Sequence, residues 1–227
     1  MIQNISSVHN CPFCAEFHGW TDGNLFAEYS GGPSPSRILC SSDELVVVPS
    51  LGPLVLGHLL VCTRRHFLSF GEAVAHRQAA SKIELCVEEV TRWLFRNTGF
   101  PVIVFEHGSA LGGNPSGACN EHAHLHLVPI PNSVGDWLQL AENGWSRLKS
   151  YEELGEWAKL RTSYLYYEDV EGRRWGRTAW PGVPSQYFRQ ELAAALGFPE
   201  RGDWRASRDI EPLERMLAIN HADPLII

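Results

Sequence analysis

"EHAHLHLVPIP", residues 121–131, decides how this chain is read. His122, His124 and His126 alternate with Ala123, Leu125 and Leu127. A period of two predicts a β-strand, because successive side chains of a strand point to opposite faces, residues i and i+2 lying roughly 6.6 Å apart on one of them. The spacing therefore puts three imidazoles on one face and the apolar anchor on the other, and Pro129 ends the run. Aligned imidazoles suit two tasks: holding a metal ion, or nucleophilic attack by one ring while its neighbours position the electrophile. The plain alternative is a polar sheet face.

The segment ahead of the strand weighs against that alternative. "SALGGNPSGACN", 109–120, is rich in glycine, and Gly108, Gly112, Gly113 and Gly117 allow backbone N–H groups to approach an anion closely. A glycine-rich loop by itself is usually a turn. Running directly into three aligned histidines, it suggests a phosphate held above a nucleophile.

Further out, "DELVVVPS" (43–50), "LVLGHLLVCTRRH" (54–66) and "PVIVFEHG" (101–108) read as strands. From Gly71 to Asn97 the period changes to that of a helix, with Ile83, Val87, Val90 and Leu94 on one stripe. Residues 1–24 read as a loop carrying "CPFC", and "YSGGPSPSR", 29–37, as an exposed loop. Cys62 and Cys86, in apolar surroundings, read as buried thiols.

The pair Cys11 and Cys14 is half of a tetrahedral zinc site; a redox pair is the competing reading. No second C-x-x-C occurs, so the remaining ligands must be histidines, and His66 and His122 are the natural candidates. Four protein ligands close a zinc site and make it structural. The metal would fix the start of the histidine strand and leave His124 free.

"GHLLVCTRRHF" (57–67) and "HAHLHLVP" (122–129), with "CPFC" ahead of them, resemble the signature segments of the histidine triad superfamily over residues 10–131. The resemblance implies an α+β fold, an antiparallel sheet with a long helix across it, and frequent dimerisation. It implies a nucleotide substrate attacked at its α-phosphorus by His124, a covalent nucleotidyl-histidine, and His126 on the phosphoryl oxygens and leaving group. It implies a structural zinc on Cys11, Cys14, His66 and His122. Two positions depart from the family: Ser50 stands where a carboxylate holds the ribose hydroxyls, and Ala118 where a glutamine contacts phosphate. "GACNEHAH" has some likeness to galactose-1-phosphate uridylyltransferase, but His126 replaces that enzyme's glutamine, which favours hydrolysis over transfer. Ser50, Gly117, Ala118, Cys119 and Asn120 are the expected substrate contacts, and the expected reaction is hydrolysis of nucleoside phosphoramidates or dinucleoside polyphosphates. A nucleotidyltransferase and a non-catalytic nucleotide-binding module are the alternatives.

The bulk composition is compatible with this. The chain has 227 residues and a net charge of −7, which argues against a general nucleic-acid or anionic-membrane surface. No apolar run approaches the length of a membrane span, and "MIQNISSVHN" lacks the features of a signal peptide, so the cytoplasm is the expected location. The six cysteines are too sparse for a disulfide scaffold.

Residues 132–227 are expected to form a mixed, mainly helical extension packed on the catalytic region 1–131. Helices are predicted over "VGDWLQLAENGW" (134–145), "YEELGEWAKL" (151–160) and "VPSQYFRQELAAALGF" (183–198), the last capped by Ser185 and stopped by Gly197. "SYLYYEDVEG" (163–172) reads as a strand entering a turn. Arg189 is the expected contact of the extension with a leaving group, and Trp204 and Arg205 are expected to stack on a base or close the pocket. Each of these also has a plain packing or solvation reading.

Overall fold

The computed structural model describes residues 8–31, 36–76, 80–110, 122–134, 137–138, 140, 144–207 and 209–227. Eight strands form one antiparallel sheet: β1 Cys40–Ser41, β2 Leu45–Pro49, β3 Leu59–Thr63, β4 Val102–Gly108, β5 His124–Pro129, β6 Ser146–Leu148, β7 Tyr164–Glu168 and β8 Arg174–Thr178. Their order is β1-β2-β3-β5-β4-β7-β8-β6, so the histidine strand β5 lies in the interior of the sheet. Its register sets His124 opposite Cys62 on β3, and His126 opposite Leu60 on β3 and Phe105 on β4.

Strands β2 to β5 are buried at every residue. Both faces are therefore covered, which is why "LVVVP" and "LLVCT" read as continuous apolar runs. On one face lies α4, Ala80–Thr98, whose Ile83, Val87, Val90 and Leu94 pack with Leu125, Leu127, Val104 and Val61. The shorter helices α3 (Phe70–Ala75), α5 (Glu152–Lys159) and α7 (Glu211–Ala222) add Phe70, Leu154 and Met216 to the same core. The predicted helix over 71–97 is thus divided into α3 and α4.

The other face carries α1, Pro12–His18, and α6, Tyr187–Ala195. Phe13 and Cys14 of α1 pack on Val46, Val48, Leu60 and Cys62. Phe188 and Leu192 of α6 pack on Phe105, Val128, Leu165 and Tyr167. The space between these two helices lies over His124 and His126 of β5. α2, Leu25–Ser30, and Trp204 close it from the side through a small cluster with Leu51 and Leu213.

Several expectations are corrected. Residues 1–24 are not all loop. Pro12 at the first helical position is pre-set for helix and needs no N–H there, and Gly19, at φ 69°, ends α1 in a left-handed cap. Ser185 does not cap α6; Gln186 occupies that position at φ 60° and makes no side-chain cap bond, while Gly197 does follow the helix end, at φ 83°. Of the helix expected over 134–145, Trp137, Leu138 and Leu140 are in no helix, and most of the remainder lies outside the described residues.

The region after residue 131 also does more for the sheet than expected: it supplies β6, β7 and β8, and β7 pairs with β4 from Val104↔Glu168 to Gly108↔Tyr164. It reaches the sheet beside β4, one strand away from β5. Gly108, read in the sequence as part of the phosphate loop, closes β4; a Cβ there would overlap the Tyr164 ring, so this glycine serves strand packing. Among the described residues no helix is long and apolar enough to cross a membrane.

Candidate functional site

The three histidines divide between two neighbouring sites. His122 belongs to the first. "CPFC" puts Cys11 at the N-cap of α1 and Cys14 three residues on, so one helix turn brings both sulfurs to the same end. His66 follows β3, and His122 leads into β5. Cys11 Sγ lies 3.3 Å from His122 Nδ1, Cys14 Sγ 3.7 Å from the same atom, and Cys14 Sγ 3.4 Å from His66 Nδ1. All four ligand atoms fall within 4.8 Å of one another. Ordinary Zn–S and Zn–N bond lengths at tetrahedral angles place sulfur and nitrogen about 3.5 Å apart, so these separations have the dimensions of a coordination shell. Neither cysteine is in a disulfide.

The tautomer agrees with the donor set. His122 Nε2 donates to the Thr63 carbonyl at 2.7 Å, which leaves the Nδ1 lone pair facing the sulfurs. The two thiols titrate as a pair: the hydrogen bond between them holds Cys11 below the ordinary thiol range and pushes Cys14 up. The residues present fit a zinc ion.

His124 and His126 belong to the second site. They line a cavity together with Phe13 and Glu16 of α1, Arg37, Ser50, Leu60, Arg189 and Trp204. His124 Nδ1 donates to the His122 carbonyl at 2.6 Å, so its Nε2 carries the free lone pair. Phe13 packs on His124 with ring centroids 5.4 Å apart, and Phe105 stacks on His126 at 4.5 Å.

A chain of hydrogen bonds also fixes His126. The backbone N–H of Leu54 donates to His58 Nδ1 at 3.1 Å, so His58 must carry its proton on Nε2. That proton is donated to His126 Nδ1, 2.9 Å away, and His126 in turn is protonated on Nε2. One ring thus offers a lone pair and the other an N–H. Burial is the main reason all these rings stay neutral: it pushes His124 down to about 4 and His58 and His126 well below the ordinary range, and the positive charge of Arg189 adds to this. His107 on β4 behaves alike, at about 3, and accepts from the Phe188 N–H.

Of the residues expected from the sequence, His124, His126, Ser50 and Arg189 come together on this cavity, and Cys11, Cys14, His66 and His122 on the neighbouring cluster. Gly117, Ala118, Cys119 and Asn120 lie outside the described residues. Arg189 is buried and ties three segments together: it donates to the carbonyls of Gly52 (2.7 Å), Arg201 (3.0 Å) and Gly202 (3.2 Å). Gly52 is fused to the extension in a second way, since a Cβ there would come 2.6 Å from the Trp204 carbonyl oxygen. Sequence reasoning missed His58, Glu16 and Arg37. For His58 the signal was in the quoted "GHLL" run. For the other two there is none, because Glu16 and Arg37 lie in two separate stretches that read as loop.

No protein-family profile matches the chain, and no curated protein matches it. Among solved structures it is similar to a hypothetical histidine triad nucleotide-binding protein from Sulfolobus tokodaii, at 17% identity over 60% of this chain and 90% of that one, with a TM-score of 0.38. It is similar to SMU.412c from Streptococcus mutans, at 19% identity over 61% and 82%, with a TM-score of 0.39. It is also similar to a Zn-bound histidine triad family protein from Mycobacterium smegmatis, at 18% identity over 60% and 90%, with a TM-score of 0.35.

Proposed function

We propose that the chain is a nucleotide hydrolase of the histidine triad type, which cleaves at the α-phosphate and releases a nucleoside monophosphate. The observation that carries this reading is the pair of opposite tautomers on one strand face. His124 keeps Nδ1–H on a carbonyl and its Nε2 lone pair available, while His126 two residues on keeps Nε2–H.

In this reading His124 Nε2 attacks the α-phosphorus as the P–N or P–O bond to the leaving group breaks. The imidazole becomes a phosphorylated imidazolium, with its Nδ1 proton held by the His122 carbonyl. His126 Nε2–H donates to a non-bridging phosphoryl oxygen and stabilises the charge that gathers there. A polyphosphate leaves as the anion, and an amine leaves neutral once the scissile nitrogen has taken a further proton from solvent. Water then adds to phosphorus, the P–Nε2 bond breaks, its electron pair returns to His124, and the water proton passes to solvent. A bound zinc ion would cross-link α1 to the start of β5; Cys11, Cys14, His66 and His122 would hold it, a closed set with no open position for a substrate.

We read 1–131 as the catalytic region and 132–227 as an extension that completes the cavity wall with Arg189 and Trp204. Ser50 stands ready as a hydroxyl partner for the sugar. The cytoplasm remains the location we propose. The test is a panel of adenosine and guanosine phosphoramidates and dinucleoside polyphosphates, with monophosphate release followed for each. Release from none of them discards the hydrolase reading; transfer of the nucleotide to phosphate or a phosphorylated sugar in preference to water replaces it with a nucleotidyltransferase.

A further inference from the structure

The cavity wall also holds an ion pair that the proposed chemistry does not use. Arg37 grips Glu16 with two bonds of 2.7 Å, Nε to Oε1 and Nη2 to Oε2, and donates a third from Nη1 to the Pro49 carbonyl. The side chains are 2% and 6% exposed, yet both border the cavity.

Its place in the fold can be counted out. Phe13 and Glu16, three apart, share a face of α1, and Glu16 lies about 4.5 Å further along the axis than Phe13, whose ring packs on His124. Arg37 precedes Leu39, whose N–H bonds to the Val47 carbonyl, so this segment runs outside β2. β2 is itself two strand spacings, about 10 Å, from β5. Phe13, Leu51, Leu60 and Trp204 line the same cavity and give it apolar walls, two of them aromatic.

A buried ion pair is weak as a stabilising device, since apolar residues of equal volume would serve α1 as well. Its position gives it another use. Arg37 occupies one lone pair on each carboxylate oxygen, so Glu16 keeps acceptor capacity on the cavity wall. A ligand group that packs on aromatic and apolar walls and meets an acceptor beside them is a planar heterocycle with N–H on its edge. We infer that Glu16, held by Arg37, is a specificity-determining residue that selects nucleobases bearing an N–H donor. This rests on the site being nucleotide-binding.

The test uses the 5′-monophosphates of purine riboside, adenosine, inosine and guanosine, titrated calorimetrically into the full-length His124→Asn protein so that turnover plays no part. The purine riboside base has no N–H. It should bind about tenfold or more weakly than the tightest of the other three, as expected for a lost hydrogen bond to a charged acceptor. The gap should narrow in Glu16→Gln and close in the Glu16→Leu/Arg37→Met pair, with thermal melting and zinc content checked in each. Equal binding of all four ligands overturns this inference alone, as does a gap unchanged in Glu16→Gln. Absence of binding by every ligand overturns it together with the nucleotide reading. Base-selective binding in a protein that hydrolyses nothing in the panel would uphold it and discard only the hydrolase.

Discussion

The two faces of β5 share one backbone and differ in everything the side chains do. Leu125 and Leu127 point into a dry core under α4. His124 and His126, their immediate neighbours, point into a cavity whose roof comes from α1 and α6. A one-residue slip of register would exchange the two sets. The apolar face therefore does more than stabilise: its packing is what keeps the histidines on the cavity side. The same division recurs on β4, where Phe105 and His107 face the site side and Glu106 faces the core.

That contrast can be broken from either side. The largest effect is expected at the metal end, where Cys14→Ala removes a ligand from a closed site. Stability should fall by several kcal/mol, and metal analysis should show about one zinc per parent chain and far less in the variant. A stable, fully active protein free of zinc would contradict this. Next comes His124→Asn. Single-turnover and steady-state assays should show a loss of about a thousandfold or more with the fold retained, and substantial residual turnover would rule out the covalent route.

On the opposite face, Leu127→Ala should cost about 3 kcal/mol in denaturant unfolding, as other buried leucine truncations do, while leaving zinc content unchanged. A change in metal content there would show that the two faces are not separable. The smallest effect concerns pH. Burial pushes the Glu106 carboxyl up to about 7, against hydrogen bonds from Tyr164 and the Phe70 N–H that favour the charge. A raised carboxyl pKa means that this group's contribution is fully present below about pH 4.5 and is lost as pH rises through about 7, by about 3 kcal/mol at most. The difference between parent and Glu106→Gln unfolding free energies should track that window; a difference independent of pH would show that Glu106 is charged throughout.

The sequence exposed one half of this contrast better than the other. Alternation at 122–128 revealed the strand and both of its faces, and the C-x-x-C pair with two histidines revealed the cluster, because such chemistry needs particular residue types at short spacing. The roof over the cavity was not visible. Glu16 and Arg37 are charged residues in stretches read as loop, and nothing local marks them as a buried pair formed across 21 positions. The last strand, "RWGRT", carries two arginines and a glycine and has no apolar run to mark it; it is held as a strand by β7 on one side and β6 on the other. Arg189 lines the cavity, but its bonds to three carbonyls depend on folds of the chain that no helical period reports.

The pairing of β7 with β4 has a consequence for assembly. A strand edge is a row of unspent hydrogen-bonding valences, and association through sheets consumes such rows. Here the outer row of β4 is consumed within the chain, and the sheet ends in a two-residue strand on one side and a three-residue strand on the other. Little valence remains at either end for another molecule to add to. Among the described residues, a homodimer would draw on other surfaces, such as the one that leaves Leu85 and Phe95 exposed on α4.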